Sequence, residues 1–497
     1  MSVDCHTGTA APTISKADLV QALLALLPAD SVLYADEDMY PYECDGLSAY
    51  RQLPWVTVLP HTVAQVQAIM RLCYQHHLPV VARGAGTGLS GGALPHPHGV
   101  LLSLAKLKSI LSVDVLGRTA RVQPGVRNLA ISQAVAMHGL YYAPDPSSQI
   151  ACTIGGNVAE NSGGVHCLKY GLTVHNVLQI KLVTVEGDLL VVGSEALDMA
   201  GYDLLALLTG SEGMLGVIVE VTVRLLAIPE QAQVVLAAFD DVEKAAAAVA
   251  EIIAAGIIPA GLEMMDKVAI NAAEDYAHAG YPRDAEAILL CELDGVREDV
   301  ADQIARVQII LAEVGATEIR LAADEQARAL LWKGRKSAFP AVGRLSPDYY
   351  CMDGTIPRRH LPAVLRGINA LSRQYGLAVA NVFHAGDGNL HPLILYDANN
   401  VGELERVEAF GGKILQLCVE VGGSITGEHG VGIEKINQMC VQFSSAELTQ
   451  FHAIKHAFDP EGLLNPGKAV PTLHRCAEFG AMHIHHGQTP FPDLERF

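Results

Sequence analysis

Short apolar, β-branched runs alternate along this chain with longer segments whose apolar residues recur at helical spacing. The pattern appears first in PWVTVLP (54–60), HTVAQVQAIMRLCYQ (61–75) and LPVVAR (78–83). The two short runs predict buried strands, and the segment between them predicts an amphipathic helix. Glycine-rich segments then dominate from Arg83 to Gly216. The start of the chain therefore predicts strand, helix and strand, followed by long glycine-rich loops.

The composition shifts near residue 229, after the segment RLLAIPE. Beyond this point long apolar runs alternate with alanine-rich helical patterns, in the order 233–239, 242–255, 287–293 and 300–314. Such alternation predicts an α+β domain in which helices cover a sheet. We expect three units, which are residues 1–229, residues 230–470 and a non-helical tail of residues 471–497.

Composition and charge restrict the classes of function. Half of the 497 residues are apolar, and 34 basic against 54 acidic residues give a net charge of −20. This acidic balance argues against binding to nucleic acid or to an anionic membrane. The most apolar helical stretch, 245–260, contains a glutamate, a glycine and a proline, so we expect a buried helix and no membrane span.

The cysteines and the N-terminal residues indicate a compartment. None of the ten cysteines forms a C-x-x-C pair, which argues against an iron–sulfur cluster or a zinc knuckle in this chain. The first 15 residues contain neither a basic region nor a long apolar core, so we expect no signal peptide. Reduced thiols and a cytoplasmic location are the expectation.

The first glycine-rich loop follows the predicted strand 78–83. Gly84, Gly86 and Gly88 suggest a dinucleotide fold, but further glycines and Pro95 prevent the helix that such a fold requires, and Leu104 stands where an acidic residue is expected. Closely spaced glycines in a loop can instead turn successive N–H groups toward a pyrophosphate. Taken alone, the segment fits a flexible surface loop equally well.

Three later segments favour a bound flavin. Residues 145–164 (DPSSQIACTIGGNVAENSGG) and 209–218 (TGSEGMLGVI) contain glycines flanked by small residues, which allow a flat ring to approach the backbone. The segment LLNPGK (463–468) lies close to the C-terminus. In their order and spacing, these segments and the first loop resemble the FAD-binding domain of the vanillyl-alcohol oxidase superfamily.

This resemblance implies a fold and a set of cofactor contacts. The expected fold is α+β, with a two-subdomain FAD-binding domain of the PCMH type, a helix-covered antiparallel-sheet cap domain and a C-terminal segment that returns to the flavin. No histidine lies between Arg83 and Ala93, although His96 and His98 follow, so we expect non-covalent FAD. The FAD-binding residues implied are Gly84, Ala85, Gly86, Thr87, Gly88, Leu89, Ser90, Gly91, Pro144, Ser147, Ser148, Gly155, Gly156, Asn157, Ala159, Asn161, Glu212, Gly216, Ile218 and Asn465.

A candidate metal site lies in the C-terminal half. In VANVFHAGDGNLHPLIL (379–395), a type I′ turn at Asp387-Gly388 would pair His384 with His391 on one face of a hairpin. In GGSITGEHGVG (422–432), Glu428 could supply a third ligand. In an extended segment the next residue, His429, would point to the opposite side and stay free for proton transfer. A pair of ordinary structural histidines is the alternative.

These segments are similar to the C-terminal domain of FAD-linked oxidases, which D-lactate, D-2-hydroxyglutarate and glycolate dehydrogenases share. The resemblance implies His384, His391 and Glu428 as metal ligands, with zinc expected and iron or manganese as alternatives. It implies His429 as the catalytic base. It also implies that Arg335, in LWKGR, binds the substrate carboxylate, whereas an exposed charge on a helix surface is the alternative.

Two further segments, 41–51 (PYECDGLSAYR) and 334–359, resemble the FAD subunits of bacterial glycolate oxidases. This resemblance implies oxidation of a small 2-hydroxy acid, glycolate to glyoxylate, with D-lactate as an alternative substrate. It implies a second flavin-domain subunit and an iron–sulfur subunit as partners, and contact with the inner membrane only through that complex. A flavin-dependent transferase of the alkylglycerone-phosphate type and a non-catalytic flavin subunit are candidate functions of different classes. The tail, 471–497, would either dock a partner or pack on its own domain.

Overall fold

The computed structural model describes residues 11–196 and 200–472. The tail expected to dock a partner lies outside these residues from 473 onward. The strands are β1 Val32–Leu33, β2 Val56–Val58, β3 Val80–Arg83, β4 Val100–Ser103, β5 Ile110–Asp114, β6 Thr119–Val122, β7 Leu140–Tyr141, β8 Val177–Val183, β9 Leu189–Gly193, β10 Val217–Arg224, β11 Leu226–Ala227, β12 Gln231–Phe239, β13 Gly261–Asp266, β14 Ala287–Gly295, β15 Glu318–Leu321, β16 Asp348–Cys351, β17 Val379–His384 and β18 Asn389–Tyr396.

Helices of widely different length connect these strands. They are α1 Lys16–Leu26, α2 Asp36–Met39, α3 Val63–Gln75, α4 Asn128–Val135, α5 Ile154–Glu160, α6 Cys167–Tyr170, α7 Thr173–Asn176, α8 Leu204–Leu208, α9 Val242–Ala254, α10 Lys267–Ala277, α11 Arg297–Val314, α12 Glu325–Lys336, α13 Ala338–Val342, α14 Leu361–Tyr375, α15 Glu403–Glu420, α16 Met439–Gln442 and α17 Ser445–Phe458. Short 3₁₀ helices lie at Ala29–Ser31, Tyr40–Tyr42, Ala136–His138 and Arg358–His360. None of the helices described here combines the length and the apolar composition that a membrane crossing requires.

The first sheet confirms the strand, helix and strand predicted for residues 54–83. Its strand order is β1-β2-β4-β3, with β2, β4 and β3 parallel to one another. A capping box formed by Thr62 and Gln65 begins α3, since each side chain accepts a hydrogen bond from the other residue's N–H. The apolar face of α3 packs into the core beneath this sheet. The glycine-rich loop leaves the end of β3 without forming a helix, as expected.

The second sheet, β5-β6-β10-β8-β9, is antiparallel throughout. Apolar residues of α4 and α5 pack against it, among them Ile131 and Val158. The helix α5 carries the glycine pair of the second glycine-rich segment at its first turn. The two sheets and their loops form the two-subdomain FAD-binding fold that the sequence predicts.

The third sheet forms the cap and is also antiparallel, in the order β15-β12-β14-β13-β17-β18-β16. Alternate residues of β12 enter two different cores, since Val235 packs with α9 and α11 while Val234 packs with α10 and α12. Burial on both faces explains why the strands are apolar without alternation. The helix predicted at 242–255 is α9, and α11 begins three residues before the helix predicted at 300–314.

The C-terminal segment returns to the first sheet. Val80 donates its N–H to the carbonyl of Leu463 at 2.8 Å, and Asn465 donates its N–H to the carbonyl of Val80 at 2.8 Å. The segment LLNPGK therefore lies beside β3, at the root of the first glycine-rich loop. This contact confirms the predicted return of the chain. The domain boundary expected at residue 229 stays a prediction, and it falls between β11 and β12.

Candidate active site

A cavity of about 460 Å³ lies between the glycine-rich loops and the cap sheet. Most of the residues predicted to bind FAD line it. These are Gly84, Ala85, Gly86, Thr87, Gly88, Leu89, Ser147, Ser148, Gly155, Gly156, Asn157, Ala159, Glu212, Gly216 and Ile218. The residues expected at the reacting end, Arg335, His384, His391, Glu428 and His429, line the same cavity.

Five residues predicted to contact FAD do not line this cavity. They are Ser90, Gly91, Pro144, Asn161 and Asn465. The carbonyl of Ser90 accepts hydrogen bonds from the N–H groups of Ile433 and Glu434. The side chain of Asn465 donates to the carbonyls of Gly92 at 3.0 Å and Glu212 at 2.7 Å. Ser90 and Asn465 therefore stabilise the loops that form the cavity, and they do not line its surface.

The first loop has the shape that an extended anionic cofactor needs. Gly86 lies three residues after the end of β3 and has φ +71°, a conformation that favours glycine. A Cβ added at Gly88 would have only a carboxylate oxygen of Asp45 within 4 Å, at 3.7 Å, so a side chain there would enter the cavity. At Gly88 the loop therefore exposes its backbone to the cavity, which fits the close approach of the pyrophosphate and flavin of FAD.

The hairpin that carries the two histidines has a different register from the predicted one. His384 pairs with Asn389 and His391 pairs with Val382, so the connection is the four residues 385–388. The prediction of a two-residue turn at Asp387-Gly388 is therefore wrong. Because the register differs by two residues, both histidines still share one face. They are diagonal neighbours, with ring centroids 5.0 Å apart.

Glu428 meets both histidines. Its Oε1 lies 2.9 Å from Nε2 of His391 and 3.4 Å from Nε2 of His384. On the far side of the ring, Nδ1 of His384 lies 2.8 Å from Oε1 of Glu263, which is the cross-strand partner of His384. A carboxylate at Nδ1 directs Nε2 toward the site, as in many metal-binding histidines. Burial alone would raise the pKa of Glu428, but the two histidines hold that pKa well below its usual value.

This group fits a divalent cation. One ligand atom from each of His384, His391 and Glu428 lies within 4.8 Å of the others. Glu428 Oε2 is buried and finds no hydrogen-bond partner within the described chain. Two imidazoles and one carboxylate leave coordination positions open for a substrate. The side chains are held by three separate segments, so the group exists only in the folded protein.

His429 lies on the same side of its loop as Glu428, which corrects the expectation of opposite sides. Its Nε2 is 3.8 Å from Glu428 Oε1, and its ring stacks on His391 with centroids 5.0 Å apart. The backbone here is a loop that wraps around Asp353 instead of an extended strand, so alternation does not apply. Burial lowers the pKa of His429 to about 4, which leaves the imidazole neutral at physiological pH. Its Nδ1 is buried without a hydrogen-bond partner among the described residues, and His429 lines the cavity.

Arg335 is buried, with 1 % of its surface exposed. The alternative prediction, that Arg335 is an exposed charge on a helix surface, is therefore wrong. It lies in the last turn of α12 and pairs with Glu263, with Nη2 2.6 Å from Oε2. Within the described residues, none of its guanidinium nitrogens makes a hydrogen bond of good geometry. Buried N–H groups of this kind need a partner, and a carboxylate fits the guanidinium fork.

Sequence reasoning missed several residues around this group. Glu263 pairs with both His384 and Arg335, and an acid within the apolar strand GLEMMD was the available signal. Phe339 lines the cavity and packs edge-on against His391, with centroids 5.9 Å apart. Lys336 also lines the cavity and lies 3.1 Å from Asp145. Nothing in the local sequence distinguishes these last two residues from ordinary helix residues.

A second charged cluster supports the adjoining wall. His166 Nδ1 lies 3.0 Å from Asp145, and His166 Nε2 lies 3.1 Å from Glu292, which also pairs with Arg328. Burial opposes the charged form of His166, but Asp145 and Glu292 raise its pKa to about 10. His166 is therefore protonated at neutral pH and links the FAD-binding domain to the cap.

Comparison with known proteins gives the family. Residues 54–193 match the model of an FAD binding domain, and residues 228–469 match that of "FAD linked oxidases, C-terminal domain". The chain is 68% identical over 488 residues to "Glycolate oxidase subunit GlcD" of Escherichia coli K12, which covers 98% of both chains. This chain belongs to the FAD-linked oxidases. Its predicted membership of the vanillyl-alcohol oxidase superfamily is confirmed.

Other relatives of this FAD-linked oxidase differ in their named substrate. "Glycolate oxidase subunit GlcD" of Bacillus subtilis is 40% identical, covering 86% of this chain and 91% of that protein. A "D-lactate dehydrogenase" of Archaeoglobus fulgidus is 34% identical, covering 84% and 92%. The solved structure of p-cresol methylhydroxylase has a TM-score of 0.78 at 18% identity, covering 93% of this chain and 99% of that one. This last likeness supports the predicted fold alone.

Proposed function

We propose that this FAD-linked oxidase oxidises a small 2-hydroxy acid, converting glycolate to glyoxylate. The observation that carries the proposal is the placement of buried Arg335 and His429 beside His384, His391 and Glu428, on a cavity whose other wall is the glycine-rich loop. A cationic anchor for the substrate carboxylate, a base and a cation site then line one cavity. The high identity to proteins named as glycolate oxidase subunits supports the same conclusion.

Arg335 and His429 have different roles, since Arg335 binds the substrate and His429 accepts a proton. The guanidinium of Arg335 binds the substrate carboxylate with two parallel N–H donors, which fixes the orientation of the carbinol carbon. His429 Nε2 accepts the hydroxyl proton, and the neutral state of its ring suits that role. Arg335 and Lys336 also supply positive charge at the cavity of a chain whose net charge is −20.

Two bound groups complete the chemistry. His384, His391 and Glu428 would hold a divalent ion, with zinc expected and iron or manganese as alternatives, and such an ion lowers the pKa of a coordinated hydroxyl. Bound FAD, expected without a covalent link, supplies the acceptor for the hydrogen and two electrons that leave the carbinol carbon. The backbone exposed to the cavity at Gly88 supports this placement of the cofactor.

D-lactate is the second candidate substrate, because relatives at 34% and 31% identity are named D-lactate dehydrogenases. D-lactate differs from glycolate by one methyl group. A hydrophobic wall distinguishes such substrates by only about 1–3 kcal/mol. Phe339 forms part of this wall, so we infer that its ring influences the preference between the two acids.

We also propose that the chain works in a complex. The relatives at 68% and 40% identity are named as subunits, and no cysteine spacing in this sequence suits an iron–sulfur cluster. A second flavin-domain subunit and an iron–sulfur subunit would then carry electrons onward. The complex would be cytoplasmic and would meet the inner membrane only at its surface.

The test is anaerobic bleaching of the flavin in the purified chain. Glycolate, D-lactate, L-lactate and D-2-hydroxyglutarate are added separately, and flavin absorbance is followed. We expect glycolate to reduce the flavin most efficiently, with D-lactate second. If none of these acids reduces the flavin, the proposal is wrong, and a transferase or a non-catalytic flavin subunit becomes the better explanation.

A further inference from the structure

Asp353 is a fully buried carboxylate behind the cation site, with 0% of its surface exposed. It lies two residues after the end of β16, and β16 is paired with β18, the strand that carries His391. Hydrogen bonds continue this pairing past the end of β16, from Met352 N–H to Pro392 at 3.1 Å and from Leu390 N–H to Gly354 at 2.9 Å. Asp353 therefore lies next to His391, with Oδ1 3.9 Å from His391 Nδ1.

The loop that supplies Glu428 and His429 wraps around this carboxylate. Asp353 Oδ2 accepts hydrogen bonds from the hydroxyl of Thr426 at 2.6 Å and from the N–H groups of Gly427 at 3.0 Å, Glu428 at 3.2 Å and His429 at 2.9 Å. Three consecutive N–H groups converge on one oxygen only when the backbone curves tightly around it. Asp353 thus selects one conformation of this loop.

A buried lysine completes the arrangement. Lys435, also 0% exposed, places Nζ 3.3 Å from Asp353 Oδ2 and donates to the carbonyl of Gly430 at 2.9 Å. The positive charge offsets the burial of the carboxylate, and the bond to Gly430 anchors the far end of the loop. If Asp353 were removed, three N–H groups and an ammonium group would stay buried without this partner.

We propose that Asp353 is the positioning residue of the site, holding Glu428 and His429 against His391 through the backbone of their loop. The importance of this role for catalysis rests on the proposed function. A single carboxylate connects the strand of one cation ligand with the loop of another cation ligand and of the base. Asp353 is fully buried and does not line the cavity, so it acts through these groups.

The test replaces Asp353 with Asn in the full-length protein, and Asp266→Asn is the matched control. Asp266 is a half-buried carboxylate at the end of β13 that likewise accepts N–H groups, from Ala269 and Asn381, and these hydrogen bonds involve none of the site residues. Zn²⁺ affinity is measured against a competing chelator, and hydrogen exchange is measured on peptides spanning 426–430. For Asp353→Asn we expect Zn²⁺ affinity to fall about 10- to 100-fold, the usual effect of an outer-shell partner. We also expect faster exchange at 427–429 and unchanged FAD content.

Asp266→Asn should leave the Zn²⁺ affinity and the hydrogen exchange at 427–429 unchanged, even if it lowers thermal stability as much as Asp353→Asn does. If Asp353→Asn does not fold, Thr426→Val, which removes one donor to Asp353, should show a smaller loss of Zn²⁺ affinity. Unchanged Zn²⁺ affinity and hydrogen exchange in the folded Asp353 or Thr426 variant would overturn the proposal.

The measurements of Zn²⁺ affinity and hydrogen exchange do not depend on enzymatic turnover. A wild-type protein that fails to oxidise glycolate would therefore refute the proposed function without deciding the role of Asp353. If glycolate is oxidised, kcat should fall more than KM rises, because Arg335 is untouched.

Discussion

Arg335 offers the sharpest test of how the substrate is held. Its guanidinium is 1% exposed, and Glu263 Oε2 lies 2.6 Å from one terminal nitrogen. The exchange Arg335→Lys keeps the positive charge beside Glu263 but removes the fork that binds a carboxylate through two parallel bonds. The perturbation therefore removes one charge-assisted hydrogen bond to the substrate without leaving the buried glutamate uncompensated.

The size of the effect follows from the burial of the group. A hydrogen bond to a charged group contributes about 1.5–3 kcal/mol, and about 1.4 kcal/mol is a tenfold change in affinity. Arg335→Lys should therefore weaken binding of the acid roughly 10- to 150-fold. The limiting rate of flavin reduction should change less, because the base and the cation ligands are unaltered.

Rapid mixing with glycolate under anaerobic conditions separates these quantities, since the dependence of the reduction rate on glycolate gives the dissociation constant and the limiting rate independently. Lys333→Arg is the matched control, because it makes the reverse exchange at an exposed position of the same helix, α12. An unchanged dissociation constant for glycolate and D-lactate in Arg335→Lys would refute the role of Arg335. A similar weakening in the Lys333 variant would point to a disturbance of the helix instead.

Four further outcomes are expected. His429→Asn should keep bound FAD while turnover falls about 10²–10⁴-fold, and near-normal turnover at neutral pH would contradict its role as base. His384→Ala and Glu428→Ala should each lose bound metal together with activity, whereas full metal occupancy in both would exclude this site. Because Asp145 outweighs burial and raises the pKa of His166 to about 10, the stability from the charged ring is complete below about pH 6.5 and is lost as pH rises toward 10. The melting temperature of the wild type should thus fall more over this window than that of His166→Asn, and parallel curves would argue against a charged His166. Acid denaturation should release all of the FAD, and flavin retained by the precipitated chain would show a covalent link.

Local patterns were sufficient for several elements of this fold. The strand, helix and strand at 54–83 and the later helix α9 follow from periods of apolar residues that depend only on neighbours along the chain. The glycine-rich loop at 84–92 was separated from a helix by the same local reasoning, because glycines and prolines act within a few residues. The return of LLNPGK to β3 came from the resemblance to a family, since nothing in that segment alone specifies the partner strand.

The geometry of the site depended on contacts that are distant in sequence. A two-residue turn at Asp387-Gly388 is the favoured local solution, yet the pairing of β17 with β13 and of β18 with β16 selects a longer connection. The two histidines kept a common face only because the register differs by an even number. The orientation of His429 was mispredicted because Asp353, 76 residues away, curves the loop that carries it.

The sequence by itself determined the strand, helix and strand at 54–83, the helix α9 and the glycine-rich loops, and which residue types could bind a flavin or a cation. These properties follow from the backbone freedom of glycine, the period of apolar residues and the chemistry of side chains. Only the tertiary structure decided that Arg335 is buried, that Glu263 joins it to His384, and that Asp353 shapes the loop of Glu428. Burial and pairing depend on which elements pack together, and that depends on long-range contacts that no local window contains.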